Sequence, residues 1–321
     1  MLALGLDTSC YTTSAALAGE DAEPVQARQL LPVPAGERGL RQSEAVFAHV
    51  RQLSAQIQAV MQKAAEPIAC VCASAAPTQE ADSYMPVFQV GLNTGRSVAA
   101  ALGVPFFETS HQQGHIMAAR YGTGLQADRY IALHLSGGTT DVLLADHDSL
   151  TPLGASLDLH AGQLVDRIGV ALRLPFPCGP HLEVLARRGE CRERIPVSIE
   201  KDGLQCHLSG AENALLRLIE SGESPENTAA EVYGVLCRTV LRLLHAAAEK
   251  TGCRDVLLAG GVASSLLLRE MLQARNEKRR TGLNLFFGRP EFSGDNAVGV
   301  ALIGLKKLQC GEAESHASAG R

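Results

Sequence analysis

The sequence has no tryptophan, few aromatic residues (4% of 321) and no long hydrophobic run. Its nine cysteines include no Cys-x-x-Cys pair, which argues against a zinc ribbon or a disulfide framework and leads us to expect reduced thiols. No apolar stretch reaches the length of a membrane span, and the run at residues 2–6 has neither a basic region before it nor a cleavage pattern after it. We therefore expect a soluble, cytoplasmic protein without membrane contact.

A strong basic charge is also absent, because the formal net charge is −5 at pH 7. This balance argues against a protein coated with basic surface for nucleic-acid binding. Two local patches, Arg187-Arg188 and residues 278–280 (Lys-Arg-Arg), still have the charge to contact phosphates. The length of 321 residues predicts two domains or lobes.

What the chain does have is a pair of histidines at residues 111–115 (His-Gln-Gln-Gly-His). Ser110 with Gln113 fits a capping box, which makes His111 the first helical residue. Residues four apart share a helix face, so both imidazoles can reach one metal ion. Gln112 stands where a helical zinc peptidase has its general base, so a peptidase is not the first interpretation. Spacing alone leaves two unrelated surface histidines equally open.

Glycine and hydroxyl turns recur after predicted strands. A hairpin over residues 2–19 turns through Asp7-Thr8-Ser9, and a second one, about 130 residues later, turns through Ser136-Gly137-Gly138. The repetition suggests a duplicated α/β unit with a nucleotide between two lobes, as in actin-like ATPases and sugar kinases. There an acidic residue organises the metal while turn N–H and hydroxyl groups hold phosphate. For residues 136–138 an ordinary β-turn remains the alternative.

Further elements follow from periodicity and breakers. We expect an irregular segment at 190–208, a third glycine turn at Gly260-Gly261 before a helix, and a last helix opened by residues 292–297. The predicted domains are an N-terminal lobe (1–120), a C-terminal lobe (121–310) and a disordered tail (311–321), with a closing helix at about 293–308 packing back on the first lobe. The predicted helices span 40–63, 91–102, 162–172, 181–188, 211–220 and 225–250, and strands are predicted at 69–73, 131–135 and 283–287.

Taken in order, these motifs resemble the TsaD-type tRNA threonylcarbamoyladenosine synthases, once catalogued as O-sialoglycoprotein endopeptidases, over roughly residues 2–308. The matches are residues 7–10 with E-T-S-C, 111–115 with H-x-E-G-H, 136–140 with S-G-G-H-T, 161–167 with A-G-E-A-F-D-K, 176–180 with Y-P-G-G-P, 260–262 with G-G-V, and 293–297 with T-D-N-A.

The resemblance implies a duplicated actin-like, two-lobed α/β ATPase fold. It implies that His111, His115 and Asp295 hold one divalent metal, iron or zinc. The activity it implies is transfer of a threonylcarbamoyl group from threonylcarbamoyl-adenylate to the exocyclic amine of the tRNA adenosine beside the anticodon. The implied ligands and partners are ATP or that adenylate, tRNA, and a related-fold subunit or a second copy of the chain. The candidate nucleotide or substrate residues are Asp7, Thr8, Ser9, His134, Leu135, Ser136, Gly137, Gly138, Asp166 on the ribose hydroxyls, Gly179, Gly260, Gly261 and Ser265.

The chain also departs from the family pattern, mostly by losing carboxylates. An acceptor amine must lose a proton during acyl transfer, so these losses bear on general-base catalysis, and no residue is assigned as the base. Two interpretations stay open: a transferase working with a partner subunit, or a catalytically impaired paralogue that binds nucleotide and metal as a regulatory or scaffold subunit. A small-molecule kinase is disfavoured because such kinases use a catalytic Asp without a two-histidine metal site. The departures are Tyr11-Thr12 for Asp-Glu, Gln113 and Gln163 for Glu, Thr139 for His, and Ser265 for Asn.

Overall fold

The computed structural model describes residues 1–9, 11–20, 22–32 and 40–311 of the chain. Two compact units are formed: the first contains residues 1–121 together with those from 294 onward, and the second contains residues 122–293. From residue 312 on, the predicted disordered tail lies outside the described residues. No helix within the described ranges is both long enough and apolar enough to cross a membrane.

The first unit is built on a five-stranded sheet of order β3-β2-β1-β4-β5. Strands β1 to β3 pair antiparallel, while β4 and β5 continue the sheet parallel to β1. The elements are β1 (Leu2–Thr8), β2 (Thr12–Gly19), β3 (Val25–Leu30), α1 (Gln42–Met61), β4 (Ile68–Ala76), α2 (Phe88–Leu102), β5 (Phe106–Ser110) and α3 (His111–Arg120), with α9 (Val298–Gln309) added from the end of the chain.

Every residue of β1 is buried, because helices cover both faces of this sheet. On one face Leu4 and Leu6 pack in a cluster with Leu53 of α1 and Leu92 of α2. On the other face α9 packs against β1, β2 and β4 and also against α3. The first unit therefore contains α9 as an integral layer.

The second unit repeats this topology in a sheet of order β12-β11-β6-β7-β8. Strands β6 to β8 form an antiparallel meander, and β11 and β12 run parallel to β6. This repeat confirms the predicted duplication. The elements are β6 (Arg129–Leu135), β7 (Thr140–Asp146), β8 (Ser149–Ala155), α4 (Ala161–Ala171), α5 (Gly179–Ala186), the small hairpin β9 (Ser198–Ile199) and β10 (Cys206–His207), α6 (Ser209–Glu220), α7 (Pro225–Thr251), β11 (Asp255–Ala259), α8 (Leu266–Arg279) and β12 (Asn284–Phe287).

Several predicted boundaries are wrong, each for a physical reason. Strand β8 was not predicted because it is an edge strand without a buried residue and contains Pro152 and Gly154. The 190–208 segment is not wholly irregular, since it contains the β9–β10 hairpin. Helix α2 begins at Phe88, three residues before the predicted start at Gly91. Gly91 does not mark a helix boundary; it allows the helix to pack closely on β1, since an added Cβ would meet Thr8 Oγ1 at 2.9 Å.

The last helix also begins later than predicted, at Val298. The Asn296 side chain explains the delay. Its Oδ1 accepts a hydrogen bond from Val298 N at 2.9 Å, and its Nδ2 donates to the Gly294 carbonyl at 2.8 Å. These bonds hold the preceding residues in a turn, so Asp295 lies on that turn rather than in the helix.

Candidate metal centre and ligand cavity

Helix α3 starts directly after β5, and its first turn carries both predicted histidines. Ser110 is the N-cap: its Oγ accepts from Gln113 N at 3.2 Å, while Gln113 Oε1 accepts from Ser110 N at 2.9 Å. This reciprocal capping box, expected from the sequence, fixes His111 as the first helical residue. The two imidazole rings therefore leave the same face, with centroids 4.4 Å apart.

The imidazoles and one carboxylate converge within the first unit. His111 Nε2 lies 3.0 Å from His115 Nε2, and Asp295 Oδ1 lies 3.2 Å from His115 Nε2 and 3.7 Å from His111 Nε2. All three ligand atoms lie within 4.8 Å of one another. Ligand atoms about 2 Å from one transition-metal ion adopt such separations, and two imidazoles with one carboxylate leave open coordination positions. The residues present therefore fit one divalent metal ion.

Asp7 contacts the ring nitrogen of His111 that faces away from His115 and Asp295. The Asp7 carboxylate is fully buried, and both of its oxygens lie 3.1 Å from His111 Nδ1. A neutral His111 then carries its proton on Nδ1 and presents a bare Nε2, which is the tautomer that a metal ligand needs. Burial alone would lower the pKa of His111, but the charges of Asp7 and Asp295 and the Asp7 hydrogen bond outweigh it and raise that pKa to about 9.

Asp295 is oriented by the turn that joins β1 to β2. Thr12 Oγ1 donates to Asp295 Oδ2 at 3.1 Å, and Ser9 Oγ donates to the same oxygen at 3.3 Å. The other oxygen, Oδ1, faces the histidines. Burial would raise the pKa of Asp295, but the hydrogen bond from His115 and the neighbouring histidine charges hold it well below its usual range.

The second unit contains a cavity of about 340 Å³. Five residues of the predicted nucleotide set line it: Gly137, Asp166, Gly179, Gly261 and Ser265. Its remaining wall is formed by Gly162, Val165, Pro177, Pro180, Glu183, Tyr233, Val262 and Ser264.

The Ser136–Thr140 turn is clamped to the start of α4 by two hydrogen bonds from backbone N–H groups of that helix. Ser136 O accepts from Gly162 N at 3.0 Å, and Thr140 Oγ1 accepts from Ala161 N at 2.8 Å. This approach requires Gly162, since an added Cβ would lie 2.6 Å from Ser136 O. The α4 N-terminus is thereby packed against a glycine turn at the cavity wall, where the dipole of the helix favours an anion.

Asp166 and two residues that sequence reasoning missed order the rest of the wall. Asp166 Oδ1 accepts from Cys178 N at 2.9 Å, and Tyr233 Oη donates to the Gly179 carbonyl at 3.3 Å. Glu183 Oε1 accepts from Leu267 N at 2.8 Å. The sequence could have indicated Glu183, because it lies one helical turn after the predicted nucleotide residue Gly179 and therefore on the same face of α5. The sequence contains no indication of Tyr233, since this residue lies in a run of buried α7 residues with the pattern of a hydrophobic core.

The other predicted nucleotide residues lie elsewhere. Asp7, Thr8 and Ser9 belong to the first unit, where the Thr8 hydroxyl donates to the Val87 carbonyl and accepts from Gly91 N. Nucleotide contact by these residues stays a prediction, as it does for five positions of the second unit that are not part of the cavity wall. Those five are His134, Leu135, Ser136, Gly138 and Gly260.

At two of the positions where the family has a carboxylate, the glutamine of this chain caps the start of a helix. Gln113 is the third residue of α3 and caps Ser110 as described. Gln163 is the third residue of α4, and its Oε1 accepts from His160 N at 3.0 Å. A glutamine serves this position as well as a glutamate does, because the cap needs only a side-chain oxygen acceptor.

Two solved structures show the fold class. The chain matches component A of the Acidaminococcus fermentans (R)-2-hydroxyglutaryl-CoA dehydratase with a TM-score of 0.55 and 18% identity, covering 96% of this chain and 99% of that one. It matches the ROK hexokinase from Thermus thermophilus with a TM-score of 0.56 and 14% identity, covering 97% and 100%. At such identities the likeness concerns the fold alone, and it confirms the duplicated actin-like α/β fold.

Sequence comparison adds the family. The model described as "TsaD: tRNA N6-adenosine threonylcarbamoyltransferase" matches residues 37–302. A relative of that name from Methanopyrus kandleri is 28% identical over 312 residues, which is 95% of this chain and 87% of the relative. The chain belongs to the TsaD family, and the predicted resemblance is confirmed.

Proposed function

We propose that the protein transfers a threonylcarbamoyl group from threonylcarbamoyl-adenylate to the exocyclic amine of the tRNA adenosine beside the anticodon, using one divalent metal ion. Family membership supports the reaction. The observation that carries the metal dependence is the convergence of His111, His115 and Asp295 within 4.8 Å. In the reaction the amine nitrogen bonds to the acyl carbon and loses one proton, while AMP leaves with the electron pair of the broken acyl–phosphate bond.

The chain prepares its donor set before any ligand arrives. Asp7 keeps the proton of neutral His111 on Nδ1, and the Thr12 and Ser9 hydroxyls hold one oxygen of Asp295 so that the other faces the histidines. When bound, a divalent metal supplies Lewis-acid stabilisation of the negative charge on phosphate or acyl oxygens. Preorganised ligands of this kind lose little orientational freedom on binding.

We assign the adenylate to the cavity of the second unit. Its volume of about 340 Å³ falls within the usual range for small-molecule sites. Gly137 of the glycine turn lies at the cavity wall, and the dipole of α4, whose N-terminus packs against that turn, favours the negative charge of the phosphate. Asp166 uses Oδ1 to hold Cys178 N, and Oδ2 has no hydrogen-bond partner among the residues the structure describes. Oδ2 is therefore available to accept from a ribose hydroxyl.

The alternative, an impaired paralogue that only binds nucleotide and metal, rests on the lost carboxylates. At two of those positions, Gln113 and Gln163 fill a helix-capping role that needs no carboxylate. Tyr11 and Thr12 remain as the departures beside the metal ligands. Thr12 itself donates to Asp295, so this position keeps a contact with the donor set.

A transfer assay separates these functions. The purified chain, the adenylate and unmodified tRNA, with and without a related-fold partner subunit, are expected to yield modified tRNA in a metal-dependent reaction. The double variant Gln113→Glu/Gln163→Glu is expected to match the wild type, because only caps change. No transfer by the wild type under any condition, together with transfer by Tyr11→Asp/Thr12→Glu, would establish the paralogue instead.

A further inference from the structure

The two basic patches of the sequence have different surroundings in the second unit. Arg187 is engaged by two carboxylates: Glu270 accepts from both terminal nitrogens at 2.9 and 3.1 Å, and Glu183 accepts at 3.0 Å. The basic residues at 278–280 are exposed at the end of α8, and within the described ranges none of them forms an ion pair. One of the two cations of the first patch, Arg187, is therefore neutralised, whereas no cation of the second patch is paired within the described ranges.

The second patch borders a groove of about 540 Å³ between the C-terminal part of α7 and the end of α8. Arg242 of α7 and Arg279 of α8 both line this groove. Arg254 reaches its edge, since its Nη1 donates to the carbonyl of the lining residue Thr281 at 3.4 Å. We call this groove, with its exposed cations Arg242, Arg254 and Arg279, the basic groove. Three further exposed cations are direct sequence neighbours of lining residues: Lys250, Lys278 and Arg280.

Few carboxylates oppose these six cations. Glu249 is the one carboxylate among the described residues that line the groove, and it lies 3.4 Å from His245 of its own helix. Glu193 lies near enough for Arg279 to contribute to lowering its pKa, but Arg275 binds Glu193 directly and is the larger cause. Glu277 is the remaining exposed acidic residue in the last turns of the two helices. The groove therefore carries a local positive charge on a chain whose net charge is −5.

Helix stability explains only part of this charge. Cations in the last turn of a helix interact favourably with its dipole, which accounts for Lys250, Lys278 and Arg279. It does not account for Arg242, which lies more than two turns before the end of α7. Cations from two helices thus share one groove, as binding to a polyanion requires and helix capping does not.

The backbone beneath the groove is held in place. Arg280 ends α8 in the left-handed conformation (φ 50°), and its N–H bonds to the carbonyls of Asn276 and Glu277. Asn276 Nδ2 also donates to the Leu283 carbonyl at 3.0 Å, which closes the turn that follows. A fixed backbone reduces the ordering cost of presenting Arg279 and Arg280 to a ligand.

We propose that the basic groove binds the sugar-phosphate backbone of the tRNA substrate, an inference that rests on the proposed function for the identity of the RNA. Guanidinium groups match phosphate geometry, and contacts of this kind carry position rather than sequence. Each phosphate contact contributes about 0.7–0.9 to the slope of log affinity against log salt.

The test compares two triple variants with the same change in net charge. Arg242→Gln/Arg279→Gln/Arg280→Gln removes groove cations, and Lys63→Gln/Arg188→Gln/Lys201→Gln removes three exposed cations elsewhere. We expect the groove variant to weaken tRNA binding by at least tenfold, to lower the salt slope by about 2 and to raise KM for tRNA with kcat unchanged. The control variant is expected to stay within about twofold of the wild type, and thermal melting checks that both fold.

The outcomes separate the proposals. Equal loss in both variants overturns the groove and leaves net charge as the cause. Competition by polyglutamate as effective as that by an unrelated RNA of equal charge overturns the choice of RNA in favour of an acidic protein partner. A wild type that modifies tRNA, with a groove variant equal to the control, overturns this inference alone. A wild type that neither binds nor modifies tRNA overturns the proposed function together with it.

Discussion

The turns that follow β1 and β6 occupy the same place in two sheets of the same topology, yet they make contacts of different kinds. Around the first turn, side chains contact other side chains: Asp7, near the end of β1, binds His111, while Ser9 and Thr12 bind Asp295. The second turn, Ser136-Gly137-Gly138, is fixed through its backbone to the start of α4. In this duplicated fold, carboxylate and hydroxyl side chains of the first turn orient the candidate metal ligands, and the second turn packs a glycine at the wall of the cavity.

The largest effect is expected from deleting a ligand of the first unit. His115→Ala should reduce the metal content from one equivalent to none, because two donors remain and the Nε2 that faces both His111 and Asp295 is gone. Elemental analysis of purified protein measures this, with Gln112→Ala from the same helical turn as control. Equal metal in His115→Ala and the wild type would refute the site.

Asp7→Asn changes the carboxylate that orients His111 and leaves all three candidate metal ligands in place. The amide still fits beside His111 but carries no charge, so metal affinity should fall by about 10- to 100-fold. Competition with a chelator of known affinity gives the number. Asp166→Asn in the second unit is the matched change and should leave metal affinity unchanged. The same loss in both variants would show that the effect is not local to the first unit.

Gly162→Ala disrupts the close contact between the start of α4 and the Ser136–Thr140 turn. The new Cβ would lie 2.6 Å from Ser136 O, and such overpacking costs about 1–3 kcal/mol of stability. We expect a lower midpoint in denaturant unfolding and weaker adenylate binding, with metal content retained. Gly138→Ala, where an added Cβ has no atom within 4 Å, should keep the wild-type stability. Equal stability of Gly162→Ala and Gly138→Ala would contradict the clamp.

The smallest effect should follow from one hydroxyl. Thr12→Val keeps the shape of the side chain but removes its hydrogen bond to Asp295 Oδ2. A hydrogen bond of this kind contributes about 1 kcal/mol, so metal affinity should fall by about fivefold. Chelator competition beside Asp7→Asn checks the order of the two effects, and a larger loss in Thr12→Val than in Asp7→Asn would reverse the assigned roles.

The sequence predicted those parts of the molecule that local rules determine. The capping box at Ser110 fixed the start of α3 and hence the shared face of His111 and His115, and the strand–turn–strand repeat predicted the duplicated sheets. Contacts between residues far apart in the chain could not be predicted from these local patterns. Nothing in the hairpin at residue 7 indicates that its carboxylate binds an imidazole 104 residues away.

The departures from the family pattern show the same limit. Gln113 and Gln163 looked like lost carboxylates because sequence gives the residue type without its hydrogen-bond partners. The structure places both at the third position of a helix, where the amide oxygen caps the helix start. Edge strand β8 was missed because it buries none of its residues fully, so no alternating apolar pattern indicated it.

The most direct test of the side-chain role of the first turn is anomalous diffraction at the metal absorption edge, from crystals of the metal-loaded protein. We predict one strong peak bonded to Nε2 of His111, Nε2 of His115 and Oδ1 of Asp295, with Asp7 still on His111 Nδ1. A stoichiometric metal found at other residues, with these three side chains bound only to each other, would contradict it.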